Sequence, residues 1–263
     1  MPNEFREVIL ANSFKKKLQN QDNNSDKINL YLFNDDIDPF TNRHLKLFNK
    51  SFPNLNYEKY IGTPIYLIPS PKPNFDNLSS YFLELYLIEL KSLGINFSRI
   101  YNSSKIRKTK KFQNLANKII SNQKNIINLV EKNFGLDYTH KFIKILNNNN
   151  KYELTSNLIT TQNFKFPWSI ECLIRWNYLH INYEFFTKNY LTKPSGSYHI
   201  SSKINREILK KDSVKSINYE FLNFNPDINK IYNILPSFLF NQLLSQKNTS
   251  SNYINPVSYT HLT

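Results

Sequence analysis

The chain has 263 residues and a mass of 31.3 kDa, enough for one large α/β domain or two smaller ones with a sizeable apolar core. Its 34 Lys and Arg outnumber its 20 Asp and Glu, and the resulting charge of +14 would attract a polyanion. Lys, Asn, Ile, Tyr and Phe are all abundant while Gly is only 4, a pattern expected of A- and T-rich codons. The charge therefore has two explanations, a binding surface or base composition.

Several classes of protein are excluded by simple counts. The single cysteine, Cys172, excludes an internal disulfide framework and a zinc site built from cysteines, so we expect no structural zinc. The first residues, 1–17, have scattered charges and lack the apolar run of a signal peptide, and no stretch approaches the ~20 apolar residues of a membrane span. We expect a cytoplasmic monomer with no membrane partner.

The first elements are a helix, a loop and a strand. Apolar residues from Phe5 to Leu18 fall near helical spacing and predict a helix, and the polar residues 19–25 predict a loop. The nearly continuous apolar run 28–33 is typical of a buried parallel strand. Because Asn34, Asp35 and Asp36 follow it directly, we expect these side chains at the carboxyl edge of a sheet, where α/β folds bind ligands.

The middle of the chain is predicted to be mostly helical. Four prolines in 64–73 favour an ordered loop with short turns over 41–80. Residues 81–93 predict an apolar helix capped by Gly94, and residues 95–97 the start of a strand. A basic cluster then precedes an amphipathic helix that continues to Val130, and its members are Lys105, Arg107, Lys108, Lys110 and Lys111.

The last third alternates helices and strands. The low-complexity run 147–150 marks a boundary, and 151–161 predicts a hairpin or loop. A buried helix is expected over 168–178, a strand over 181–185 and a helix over 200–209.

We interpret the last residues of the chain as sequence that does not come from the natural gene. Residues 257–262, Val-Ser-Tyr-Thr-His-Leu, resemble one reading frame of a transposon-end sequencing adaptor. We therefore expect the natural sequence to end near Pro256, although an ordinary terminal tail is the alternative.

Three segments resemble class I lysyl-tRNA synthetases. They are Phe5-Arg6-Glu7-Val8, the acidic turn of Asp35, Asp36 and Asp38, and residues 166–176. The third is the most specific, because Trp168, Glu171 and Arg175-Trp176 follow the family pattern Pro-Trp-x-x-Asp-x-x-x-Arg-Trp, with Glu171 in place of the aspartate.

The resemblance implies a fold and a domain division. The fold would be α/β, with a Rossmann-like parallel sheet and a helical insertion. Residues 1–100 would form the first part of the nucleotide-binding core without its first strand, 101–162 the helical insertion, 163–256 the second part of the core, and 257–263 the adaptor.

The implied activity is that of a lysine–tRNA ligase. Such an enzyme joins lysine to ATP and then transfers the lysyl group to lysine tRNA, mainly by positioning and by stabilising charge on the phosphates. The expected partners are lysine, ATP and lysine tRNA. Mg²⁺ would enter with the nucleotide, and no metal site on the protein is expected.

The resemblance also assigns site residues. Trp168 would form the aromatic wall of a lysine pocket by cation–π contact, with core packing as the alternative. Glu7 would recognise the substrate amine, with a solvated first-turn glutamate as the alternative. Tyr190 and Tyr198 would border the amino-acid site. The ATP-binding candidates are Asn189, which replaces a ribose-binding aspartate, and Ser195 and Gly196 of a Gly-Gly-Ser-Tyr-like turn.

Two family motifs are absent or degraded. The His-Ile-Gly-Asn element that should precede Phe5 is not present, and neither is the first core strand. The loop that resembles Lys-Met-Ser-Lys-Ser is reduced to residues 229–233, in which Lys230 is a weak catalytic candidate. The acidic turn is expected to have a structural and substrate-orienting role.

Three hypotheses remain open from the sequence. The chain is part of a lysine–tRNA ligase cut at both ends, or a catalytically inactive paralogue that binds lysine-like ligands. The third is a basic RNA-binding module that contacts phosphates through the lysine-rich helix after Lys105 and performs no chemistry.

Overall fold

The computed structural model describes residues 2–21, 28–138, 142–155, 164–187 and 195–219, and every structural statement below concerns these ranges. They form eight helices and seven strands, together with two short 3-10 turns at Glu58–Tyr60 and Ile65–Leu67. In chain order the helices and strands are α1 (Pro2–Gln21), β1 (Tyr31–Asn34), α2 (Asn42–Ser51), α3 (Leu78–Ser92), β2 (Arg99–Asn102), α4 (Ser103–Ile106), α5 (Lys110–Ser121), α6 (Gln123–Phe134), β3 (Ile143–Leu146), β4 (Tyr152–Thr155), β5 (Phe164–Lys165), α7 (Trp168–Leu179), β6 (Tyr183–Thr187), α8 (Ser197–Glu207) and β7 (Lys215–Tyr219).

The strands form two parallel pairs and one antiparallel sheet. β1 pairs with β2 in register Tyr31 to Arg99, and β6 pairs with β7 in register Tyr183 to Lys215. β3 lies between β4 and β5 in the antiparallel sheet. The α/β class is therefore confirmed. Among the described residues no ladder of hydrogen bonds joins β1 to β6, so the parallel strands remain two separate pairs.

Both parallel pairs lie between the same helices. Leu30, just before β1, and Phe185 of β6 share a buried cluster with Val8 and Ala11 of α1. Successive side chains of a strand point to opposite faces. Accordingly, Phe186 packs in a buried cluster with Cys172 and Trp176 of α7, and Phe33 packs against the cluster that includes Ile170, Leu173 and Ile174 of the same helix.

The largest core cluster joins residues from both sides of the expected domain boundary. Phe112, Ile119 and Ile126 come from α5 and α6, and Ile170 and Ile204 from α7 and α8. The described part of residues 101–162 contains the end of β2, the helices α4, α5 and α6, and the strands β3 and β4. This segment is thus packed into a common core with the later helices.

Several predicted elements are confirmed. The opening helix, the helix over 168–178 and the later strand and helix are present as α1, α7, β6 and α8. Gly94 ends α3 with φ +69°, in the left-handed region that favours glycine, and its N–H donates to the Lys91 carbonyl.

Other predictions were wrong in detail. The region 41–80 contains α2, whose first turn is capped because Thr41 accepts the N–H of His44. The single helix expected up to Val130 is divided into α5 and α6 at Asn122. The strand expected at 95–97 is β2, a few residues later. None of the described helices is both long enough and apolar enough to cross a bilayer.

Candidate functional site

A buried ion pair fixes the segment that leads into α7. Glu171 accepts the backbone N–H of Phe166 at 2.8 Å and forms an ion pair with Arg107. Arg107 also donates to the Phe164 carbonyl at 2.7 Å. Because Arg107 and Glu171 are both more than 90% buried, these contacts are protected from solvent screening. They hold residues 164–167 and so set the position of Trp168.

The acidic turn after β1 is connected to the same segment. Lys165 forms an ion pair with Asp38, and its ammonium lies 4.0 Å from an Asp35 carboxylate oxygen. Asp36 turns the other way and accepts the backbone N–H of Ser104 at 2.7 Å. Burial raises the pKa of Asp36, although its hydrogen bonds with Ser104 oppose the rise.

These contacts give the acidic turn a structural role. Each of its three carboxylates faces a cation or a hydrogen-bond donor of the protein. Within the described ranges, no group of three or more His, Cys, Asp or Glu side chains is arranged to hold a metal ion.

Arg175 links β1, α7 and β6. Its guanidinium carbon lies 5.1 Å from the ring centroids of both Phe33 and Trp168, and the side chain forms a buried ion pair with Glu184. One face of the Trp168 indole is therefore covered by a cation of the protein. Trp168 itself is half-buried, so part of the residue remains exposed.

Tyr198 lies near the same helix. Its hydroxyl donates to the Val214 carbonyl at 2.9 Å, and its ring centroid is 5.2 Å from that of Phe186. Trp168 and Tyr198 pack against one buried cluster, which includes Trp176. The structure thus brings two of the predicted substrate-binding residues together.

The structure describes three of the remaining site candidates, namely Glu7, Ser195 and Gly196. Glu7 is on α1 and only 4% exposed, so the alternative of a solvated first-turn glutamate is wrong. Ser195 is exposed, whereas Gly196 is buried at the N-cap of α8 and accepts the N–H of Ile200. The other candidates, Asn189, Tyr190 and Lys230, and the adaptor-like residues 257–263, lie outside the described residues.

The sequence analysis missed four residues of the site, namely Phe33, Arg107, Lys165 and Glu184. Arg107 is a member of the basic cluster that precedes the amphipathic helix, and such a cluster predicts solvent exposure. Lys165 lies between Phe164 and Phe166, and Glu184 between Tyr183 and Phe185. A single charge inside an apolar run is costly to bury without a partner, so this pattern was an available signal.

A small cavity lies beside Arg107. It has a volume of about 40 Å³ and is lined by residues that include Tyr66, Ser104 and Tyr152. The Nε atom of Arg107 is buried and has no hydrogen-bond partner among the described residues. Ligand pockets typically measure about 300–1,000 Å³, so this cavity suits one or two water molecules and is too small for a nucleotide.

The family model and the similar proteins agree on one family. The family model of the class I (K) tRNA synthetases matches residues 3–151 and 135–231. A lysine–tRNA ligase of Methanosarcina barkeri strain Fusaro is 26% identical over 244 residues, which are 83% of this chain and 43% of the relative. A lysine–tRNA ligase of Archaeoglobus fulgidus is 22% identical over 240 residues, 83% of this chain and 46% of the relative. The chain spans less than half of the length of these curated relatives.

Proposed function

Because the chain belongs to the class I (K) tRNA synthetases, we propose that it is the core of a lysine–tRNA ligase that activates lysine with ATP and transfers it to lysine tRNA. The relatives named lysine–tRNA ligase support this assignment. The observation that carries it is the framework around Trp168, in which the Arg107–Glu171 and Arg175–Glu184 ion pairs fix a half-buried indole.

The proposed lysine pocket uses the accessible part of Trp168. Arg175 covers one face of the indole, so the substrate ammonium approaches from the other side. Tyr198 borders the pocket through the shared cluster, and Glu7 and Tyr190 complete it. Asn189, Ser195 and Gly196 contact ATP, which brings Mg²⁺ with it. The protein acts as a monomer in the cytoplasm.

We also propose that the parallel strands belong to one Rossmann-like sheet. β1 and β6 lie between α1 and α7 and each has one edge without a strand partner among the described residues. A further strand from outside these residues would lie between them, as the resemblance implies for a segment before Phe5. The proposed divisions remain 1–100, 101–162 and 163–256.

The test is binding of a non-hydrolysable lysyl-adenylate analogue, measured by calorimetry. The lysyl compound is expected to bind, whereas the norleucyl analogue, which lacks the ammonium, is expected to bind much more weakly. Trp168→Leu should weaken lysyl binding about tenfold, because a desolvated cation–π contact contributes about 1–2 kcal/mol. Trp168→Phe keeps an aromatic face and serves as the matched control. Equal binding of the two analogues would contradict the proposal.

A second candidate is an inactive paralogue that binds lysine without charging tRNA. The replacement of two family residues by Asn189 and Tyr190 and the degraded loop around Lys230 favour it. Lysyl-analogue binding without any transfer of lysine to tRNA would identify this case.

A further inference from the structure

Positive charge is concentrated in one segment of the chain. Between Glu89 and Glu131 the sequence contains nine Lys and Arg and neither Asp nor Glu, so all 20 acidic residues lie elsewhere. A uniform bias of base composition would spread acidic residues along the whole gene. The combination of nine cations and no carboxylate in one segment therefore favours a surface with a function over a compositional effect.

Helix α5 presents this charge on one face. Its other face is buried through Phe112, Ala116 and Ile119. Three- and four-residue spacing places the exposed side chains on the opposite side of the helix. These are all hydrogen-bond donors, namely Lys110, Lys111, Asn114, Asn117, Lys118 and Ser121.

Not every cation of the segment is available for a partner. Arg107 turns inward to Glu171, and the ammonium of Lys111 contacts the Tyr178 carbonyl and the His180 ring. The other exposed lysines form no ion pair with a carboxylate among the described residues. Five of them lie on α5 or in the segments that adjoin it in the chain, and we call these five the lysine face: Lys105, Lys108, Lys110, Lys118 and Lys124.

We propose that the lysine face binds the phosphodiester backbone of an RNA, and this partner rests on the proposed function, for which the RNA is lysine tRNA. Ammonium, amide and hydroxyl donors are the groups that proteins use to contact phosphates. The segment that carries the face, residues 90–130, contains no Asp or Glu that would repel a polyanion. The apolar residues of α5 are packed in the core, so the helix has no apolar surface to insert into a bilayer.

The test compares two triple variants that remove equal charge. Lys108→Gln, Lys110→Gln and Lys118→Gln remove three members of the lysine face. Lys16→Gln, Lys46→Gln and Lys72→Gln remove exposed lysines from other parts of the chain, including α1 and α2, which pack in other core clusters. Binding to a lysine tRNA transcript is measured by fluorescence anisotropy over a range of salt concentrations.

The lysine-face variant is expected to bind RNA at least about tenfold more weakly, and its log–log salt slope should fall by about 2 to 3, since each phosphate contact contributes about 0.7–0.9. The control variant should keep nearly the original slope. Equal losses in the two variants would overturn the proposal, because net charge alone would then explain binding. An unchanged RNA affinity of the lysine-face variant would overturn the proposal as well. So would a variant that loses binding to anionic phosphatidylserine vesicles, measured in parallel, but keeps its affinity for RNA.

The same proteins separate this proposal from the ligase assignment. If the chain binds the lysyl-adenylate analogue but the lysine-face variant keeps its RNA affinity, the surface is wrong and the ligase assignment stands. If RNA affinity depends on the lysine face while the analogue does not bind, the surface stands and the ligase assignment is wrong.

Discussion

Arg107 and Lys108 are neighbours with the same charge in opposite environments. Arg107 is 5% exposed and pairs with Glu171, whereas Lys108 is exposed. Arg107→Met leaves the buried Glu171 carboxylate without its cation, so we expect a loss of about 3–5 kcal/mol in the free energy of unfolding. Lys108→Met should change it by less than about 0.5 kcal/mol. Urea unfolding measures both, and similar losses in the two variants would contradict the buried pair.

The Glu184 carboxyl gives the native state a distinct pH dependence. Burial raises the pKa of Glu184 to about 7, although Arg175 opposes the shift. In the unfolded chain a glutamate titrates near about 4.3. Between these values the native state binds the extra proton, so this stabilising contribution is complete below the unfolded pKa and is lost as the pH rises through 7.

Replacing Glu184 isolates that contribution. Between pH 4.5 and 8, the decrease in the free energy of unfolding should be smaller in Glu184→Gln than in the original chain, by on the order of 1–3 kcal/mol. Urea titrations of the two proteins across this range provide the measurement, and Glu207→Gln, at an exposed glutamate, is the matched control. Parallel curves for the original chain and Glu184→Gln would show that Glu184 titrates alike in both states.

At the residue scale, the sequence was most informative where a motif is local. Trp168, Glu171 and Arg175 lie on one helix, and their match to the family pattern carries the resemblance that makes Trp168 a pocket candidate. The contact of Arg175 with Phe33 and Glu184 joins three elements that are distant in sequence. No helical or strand period encodes such a contact, so the sequence could not predict it.

At the scale of single elements, helical periodicity was reliable and helix ends were not. The helical spacing of apolar residues continues across residues 119–127. The sequence therefore predicted one helix where the structure has two, α5 and α6. At the break, Asn122 donates to the Lys118 carbonyl through its side chain, a local hydrogen bond that competes with the helix. Helix α2 was missed because the prolines after it dominated the interpretation of 41–80, although Thr41 is a good N-cap.

At the scale of the whole molecule, strand order was beyond the sequence. The apolar run before Asp35 predicted a parallel strand, and β1 confirms it. Its partner β2 follows only after α2 and α3, much farther along the chain than the dozen or so residues that a helical crossover requires, and no local pattern specifies this pairing. The two parallel pairs and their shared packing between α1 and α7 depend on contacts between distant parts of the chain, which no local pattern specifies.

The open edges of β1 and β6 lead to a prediction about hydrogen exchange. In a parallel strand alternate N–H groups point to opposite neighbours, so half of those in β1 point away from β2 and half of those in β6 away from β7. Without a strand between them, these amides should exchange at least about tenfold faster than the alternate amides, because backbone groups that lack partners are not protected.

Extending the chain by the residues encoded upstream of it provides the comparison. If a further strand lies between the pairs, the outward amides of β1 and β6 should become protected together, since its carbonyl groups would accept N–H groups from both neighbours. Amide exchange followed by NMR resolves the alternate residues, and the amides between β1 and β2 serve as the internal reference. If the extended chain leaves the exchange rates of the outward amides of β1 and β6 unchanged, no strand lies between the two pairs. The proposal of one Rossmann-like sheet would then fail.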